Sequence, residues 1–216
     1  MLFRSIFSLS PISKKVQQVN GLVFGVGHCE NKFVAIQTIN GLNLEANPAP
    51  AAGAIIGMLV LIHLPELIKN HNAQNKPDSV RYKIQNYNCL SKIKLNGINI
   101  SSGCFFTNVS MNGLNISAGN KFDNFNGISI APLGTISDNF NGFSVGIINC
   151  SNNLKGFSVG VLNQSYCLNG LQVGIVNKAN FSKGVQIGIF NKSINNGFQL
   201  GFWNKNKNRS LPFINF

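Results

Sequence analysis

Residues 142–210 read GFSVGIINCSNNLK, GFSVGVLNQSYCLN, GLQVGIVNKANFSK, GVQIGIFNKSINN and GFQLGFWNKNKNRS, and every segment begins with a glycine. The spacing between these glycines is fourteen residues three times and then thirteen. A fixed short period is the signature of a repeat architecture. Looser copies begin at Gly97, Gly113 and Gly127, and weaker echoes at Gly21 and Gly41. One motif therefore covers most of the 216 residues.

The first half of each copy alternates between large apolar residues and small or polar ones. Phe143, Val145 and Ile147 fall on one side of the chain, and Gly142, Ser144 and Gly146 on the other. A period of two predicts a β-strand and is not met by helical spacing. The second half, residues 149–155 in the first copy, is polar and predicts a turn. One asparagine closes each predicted strand, at Asn149, Asn163, Asn177, Asn191 and Asn204.

Two all-β architectures can be built from this unit of about 14 residues. The sequence favours an antiparallel meander of strand and turn repeats that curls into a barrel-like sheet, because each strand has one apolar face. The alternative is a β-solenoid, in which each repeat is one coil and the asparagines stack as a ladder. The polar half offers only Leu154, Leu168 and Ile194 for a second inner wall. The direction of the apolar face stays open, and an outward face in lipid would make an outer-membrane barrel.

We expect a single repeat domain over residues 1–216. It comprises N-terminal strands in residues 1–47, a non-repeat insertion in residues 48–92 and the repeat array in residues 93–216. The longest apolar run, Ala51–Leu64, is shorter than the roughly 20 residues of a spanning helix. It suits a buried helix, an interfacial segment or a loop insertion.

The chain carries a net charge of +12 but only 11% charged residues, and 34 asparagines supply much of its polarity. Its lysines lie singly in the repeats, for example Lys155 and Lys178, and the one cluster is Lys205, Lys207 and Arg209. That cluster lacks the interleaved aromatic residues of single-strand binders, which argues against specific nucleic-acid recognition. The partner is unknown from sequence, and the charge favours anionic lipid or an envelope polymer.

No catalytic, cofactor-binding or metal-binding residue is predicted, and we expect a protein that is not an enzyme. The histidines are His28, His63 and His71, and none stands at a metal-ligand spacing. His28 is followed by Cys29 and Glu30, but neighbours on a strand point to opposite faces. The cysteines form no CxxC pair and are predicted to be small, partly buried residues. They are Cys29, Cys89, Cys104, Cys150 and Cys167.

The tandem GLQxGxxN units, followed by LPFINF at the end of the chain, resemble a group of uncharacterised bacterial surface-repeat proteins, some of them lipoproteins. Val19–His28 and Ile39–Pro48 also resemble the opening of envelope proteins of this group. The resemblance implies a location in the cell envelope or outer membrane, although Met1–Ser10 does not match a clear signal peptide. The expected function is a non-enzymatic structural or interaction scaffold of the envelope. The alternatives are an outer-membrane barrel acting as a small pore or anchor, and a ligand-binding protein using residues 48–92.

Overall fold

The computed structural model describes residues 3–10, 12–13, 15–27, 36–46, 93–103 and 108–216. These residues form eleven strands and no helix. The strands are β1 (Phe3–Ser10), β2 (Val16–Gly25), β3 (Gln37–Glu45), β4 (Ile93–Ser101), β5 (Val109–Ser117), β6 (Gly119–Ile130), β7 (Gly134–Val145), β8 (Ile148–Ser182), β9 (Val185–Ser193), β10 (Phe198–Lys205) and β11 (Ser210–Asn215). The predicted all-β class is confirmed.

Each strand from β1 to β10 pairs in parallel with the next one along the chain. The register joins equivalent repeat positions, so that Gly41 lies opposite Gly97, Gly97 opposite Gly113 and Gly142 opposite Gly156. A residue can lie beside its repeat equivalent in parallel only if the chain completes one circuit per repeat. The described residues therefore form a β-solenoid of about nine turns.

The solenoid is the second of the two architectures that the sequence left open, and the preferred antiparallel meander is wrong. Among the described strands, only β10 and β11 pair antiparallel. The predicted turn at residues 149–155 is also wrong, because it lies inside β8, a strand of 35 residues. The polar half can be a strand because stacking a coil on each side satisfies its backbone N–H and C=O groups.

The small and polar side of the alternation faces the interior. Ser144, Ser158 and Gln172 are buried, whereas Phe143 and Phe157 are exposed. On this side of the coil the polar side chains bond to one another, as Ser158 does to Asn163 and Gln186 to Gln172, so they can be buried without losing hydrogen bonds. The direction of the apolar face, which the sequence left open, is therefore outward.

Apolar residues also lie inside the solenoid, and the longest row of them is on the polar half of the repeat. It consists of Ile39, Leu95, Met111, Phe125, Phe140, Leu154 and Leu168, all of them buried. The rings of Phe125 and Phe140 stack with centroids 4.9 Å apart and planes 10° apart. This row supplies the second inner wall for which the polar half of the repeat offered few residues. Ile194 is exposed and does not join it.

The asparagines form the ladder expected of a solenoid. The side-chain amide of Asn149 donates to Oδ1 of Asn163 at 3.0 Å, and Asn163 donates to Asn177 at 2.9 Å. The series continues from Asn177 to Asn191 at 2.8 Å and on to Asn204 at 2.7 Å. Each amide is both donor and acceptor, so stacking satisfies a buried polar column that would be costly if left unpaired.

The repeat glycine is required where successive coils meet. Gly156 has φ +120°, and a Cβ atom there would lie 2.1 Å from the carbonyl oxygen of Gly142. Residues that carry a side chain rarely adopt this backbone conformation, and there is no space here for a Cβ atom. The weak echoes at Gly21 and Gly41 belong to true coils, because Gly21 pairs with Gly41 in the same register. Residues 48–92 lie outside the described residues, but β3 and β4 on either side pair directly.

Candidate interaction surface

The large residues that follow each repeat glycine form two outward rows along the solenoid, which we call the apolar face. The first row contains Leu22, Leu42, Ile98, Leu114, Ile128, Phe143, Phe157, Leu171, Val185 and Phe198. The second row contains Phe24, Leu44, Ile100, Ile116, Ile130, Val145, Val159, Val173, Ile187 and Leu200. Because the coils are in register, like residues stand beside like residues and the rows are unbroken.

The apolar face is open to solvent over its length. Phe157 is 53% exposed, and Ile98, Ile128 and Phe198 are also exposed. At the strand spacing of roughly 4.8 Å, about nine turns give a face roughly 40 Å long. Isolated apolar residues on a surface are ordinary, but a continuous apolar patch of this extent marks an interaction site.

A groove of about 800 Å³ runs along the C-terminal part of the apolar face. One side is formed by Val159, Val173 and Ile187 of the second row. The other side is formed by a third apolar row, Ile147, Val161, Ile175 and Ile189. Pro132 lines the groove at its upstream end.

Glycines form the floor of this groove because a side chain there would clash with the neighbouring coil. A Cβ atom on Gly174 would stand 2.2 Å from the carbonyl oxygen of Gly160 and 2.6 Å from Nδ2 of Asn163. Gly188 has the same relationship to Gly174 and Asn177. The buried asparagine ladder therefore passes directly beneath the floor, and both features depend on the absence of a side chain there.

Lysines border the apolar face on both sides in its C-terminal half. Lys155 and Lys183 immediately precede the repeat glycines Gly156 and Gly184, and both are exposed. On the other border, Lys178 lies beside Lys192, and Lys192 beside Lys205, each directly after an asparagine of the ladder. These lysines lie singly in the sequence, whereas the coils bring Lys178, Lys192 and Lys205 into one row.

Acidic residues are absent from the apolar face and its borders within the described residues. Glu45 is buried in β3. Asp123 and Asp138 lie half a coil from the second apolar row, on the opposite surface. We call this surface the polar face; it consists of the outward residues of 122–125, 137–140, 151–154, 165–168, 179–182 and 193–195. Asp138 accepts a hydrogen bond from Asn152 at 3.0 Å there. The solenoid thus separates its few negative charges from its apolar side.

The basic cluster at residues 205–209 is part of a structural cap. Arg209 donates from Nε to Oδ1 of Asn215 at 3.0 Å and from Nη2 to an oxygen of Phe216. Its guanidinium also lies 4.7 Å from the centre of the Phe216 ring. Nδ2 of Asn215 in turn donates to Gln199 at 3.3 Å, so β11 closes the interior of the last coil.

The residues that the sequence singled out for reactive chemistry lie outside the described residues. They are His28, Cys29, Glu30, His63, His71, Cys89 and Cys104. Cys150 and Cys167 are free and partly buried, and burial raises the pKa of the Cys150 thiol to about 11. Within the described ranges, no three His, Cys, Asp or Glu side chains converge as a metal site. The described part of the chain also holds no helix long and apolar enough to cross a membrane.

Sequence reasoning found the alternation but missed the surface that it builds. The signal lay in the polar positions of the alternation: serine recurs at Ser144 and Ser158 and glutamine at Gln172 and Gln186, where a barrel interior would tolerate variety. Gln186 donates to Gln172 at 3.0 Å, and Gln199 donates to Gln186 at 2.8 Å. A recurring amide at one position of a short repeat indicates a stacked column, and thereby an outward direction for its apolar neighbours.

Comparisons with models of known protein families, with curated proteins and with solved structures give no match for this chain. The apolar face and its charged borders are therefore the features of this chain that bear on its function.

Proposed function

We propose that this protein is a non-enzymatic scaffold of the cell envelope that works through the apolar face. The observation that carries the proposal is the continuous exposure of two apolar rows on a solenoid whose interior is largely polar. In a protein that functions alone in water, such rows would be exposed at a cost in solubility, and a binding surface gives a reason for them. The asparagine and glutamine ladders make the support rigid, which suits a docking surface.

The envelope location is supported by the resemblance of the GLQxGxxN units to bacterial surface-repeat proteins. The excess of lysine fits it too, because envelope surfaces carry anionic lipids and polymers. The pore alternative depended on antiparallel strands, and the parallel coils remove that premise. The alternative that uses residues 48–92 falls outside the described residues.

Site-specific photo-crosslinking in cells tests the scaffold. A benzoylphenylalanine is placed at Phe157 on the apolar face or at Tyr166 on the polar face of the same coil, residues that are 53% and 40% exposed. We expect crosslinked products from position 157 and few from position 166. Equal yields from both positions, or none from either, would overturn the proposed use of the apolar face.

Cell fractionation tests the location separately. We expect the protein in the envelope fraction, and we expect protease added to whole cells to cleave it. Recovery in the soluble fraction after gentle lysis would contradict an envelope role.

A further inference from the structure

We propose that the apolar face lies on an anionic lipid membrane, with the bordering lysines contacting the headgroups. This inference rests on the proposed function and names the partner of the same surface. An element that lies in a membrane interface combines an apolar surface that enters the acyl boundary with cationic side chains at its margins. The arrangement of charges around this solenoid meets both conditions.

Positive charges of the C-terminal half lie at the borders of the apolar face. Lys155 and Lys183 stand on one border of the apolar face, and Lys178 stands on the other, all three exposed. Long lysine side chains can keep their ammonium groups at headgroup level while the neighbouring apolar rows are buried. Each lysine near an anionic membrane surface adds about 1 kcal/mol of attraction, which corresponds to roughly fivefold in binding.

The negative charges of the described residues lie away from the apolar face. Asp123 and Asp138 lie half a coil away from the second apolar row. A membrane under the apolar face would therefore meet lysines at its edges, while these carboxylates would face water. Among the described residues, the charges around the apolar face are thus complementary to an anionic surface.

The C-terminal coils carry exposed aromatic residues. Phe198, Phe202 and Trp203 are exposed on or beside the apolar face, next to the coils that carry the lysine borders. Tryptophan and phenylalanine are typical of the boundary between headgroups and acyl chains. The C-terminal half is consequently the part expected to enter deepest.

A second copy of the chain is a poorer occupant of this face. Two chains packed through their apolar faces would bring lysine rows of the same sign together along their borders. The apolar run Ala51–Leu64 is another conceivable occupant, and it lies outside the described residues. Vesicle flotation, together with the oligomeric state and crosslinking, distinguishes both alternatives from lipid.

The test is flotation of the full chain with vesicles of phosphatidylcholine, alone or mixed with phosphatidylglycerol. We expect binding to the mixed vesicles that weakens as salt is raised, because exposed charges are screened. Ile189→Ser should lower the partition coefficient about tenfold, as expected for loss of one buried large apolar side chain. Ile194→Ser is the matched control, because Ile194 lies in the same coil on the polar face and is 47% exposed against 46% for Ile189.

The lysines are tested with Lys155→Gln, Lys178→Gln and Lys183→Gln combined, which should abolish most binding to the mixed vesicles. Lys94→Gln should change binding little, because Lys94 lies in β4 at the position that aligns, through Ser110, with Asn124 of the polar face. Equal effects of Ile189→Ser and Ile194→Ser, or flotation that does not depend on phosphatidylglycerol, would overturn the proposal.

The rival occupants give different results in the same preparations. A protein that elutes as a dimer without lipid and becomes monomeric on Ile189→Ser would show that a second copy covers the face. An internal crosslink from position 157 to residues 51–64, with no flotation, would show that the chain covers itself. Crosslinks to another partner in cells without flotation would overturn the lipid proposal and leave the scaffold standing, whereas failure of both assays would remove both.

Discussion

The side-chain amide of Asn163 donates to Oδ1 of Asn177 at 2.9 Å, and its carbonyl oxygen accepts from Asn149 one coil earlier. The same Asn163 amide also donates to the backbone carbonyl of Val173 at 2.9 Å. One buried residue thus ties together three successive coils. The relationship explains why asparagine recurs at this position, because no other short side chain both donates and accepts with an amide.

Asn177→Ala should lower the free energy of unfolding by about 3 kcal/mol, because it leaves buried amide partners on both neighbouring coils unsatisfied. Urea unfolding followed by circular dichroism measures the change. Asn169→Ala is the control, since Asn169 is exposed, and it should cost less than about 0.5 kcal/mol. Similar losses for the two variants would show that the ladder contributes nothing special.

Gly156→Ala should destabilise the solenoid by about 2–5 kcal/mol, through backbone strain at φ +120° and a clash with the carbonyl oxygen of Gly142. Thermal unfolding of the variant checks this. Gly119→Ala provides the comparison, because the nearest atom to its added Cβ is a side-chain carbon of Leu133 at 3.3 Å. If the Gly119 variant lost as much stability as the Gly156 variant, the close contact between coils would not be the cause.

Phe140→Ala should cost about 3–5 kcal/mol, because it opens a cavity beside the stacked ring of Phe125 in the inner apolar row. Phe157→Ala removes a ring of the same size from the apolar face and should cost less than about 1 kcal/mol. Denaturant unfolding of both variants compares them directly. The opposite ranking would mean that Phe157, and not Phe140, belongs to the core.

Cys150 should make the fold sensitive to alkaline pH. Its pKa is raised from 9.0 to about 11 by burial, so the folded state favours the protonated thiol. Below pH 9 the thiol is protonated in both states and this stabilisation is complete. Between pH 9 and 11 the unfolded chain ionises first, and stability falls as pH rises. Cys150→Ser should show a smaller loss of unfolding free energy between pH 8 and pH 10. Equal pH dependence in both proteins would contradict the burial of the thiol.

Most of the fold's local pattern was predictable from sequence. The period of fourteen, the alternation around Ser144 and the recurring Asn149, Asn163 and Asn177 were all visible, and they led to the correct all-β class and to the solenoid as one of two architectures. The second half of the repeat misled the interpretation, because polar residues at 149–155 match a turn. A strand whose outward residues are polar has the same composition as a turn, however, so composition alone does not distinguish the two.

The candidate surface was only half predictable. The rows containing Phe143 and Val145 could be listed, but alternation is symmetric and does not tell which side faces inward. The lysine borders also could not be seen, since Lys178, Lys192 and Lys205 become neighbours only when coils stack.

The sequence by itself determined the repeat length, the placement of glycine and the strict separation of large apolar from small polar residues. Only the tertiary structure decided that the small polar side is the interior. The physical reason is hydrogen bonding: amide side chains on this side of the strand, such as Asn163 and Gln186, bond from one coil to the next and satisfy one another away from water. Phe125 and Phe140, in the other half of the repeat, fill the apolar part of the interior. The large apolar side chains that alternate with the polar ones are left outside, where they form the face on which the proposed function depends.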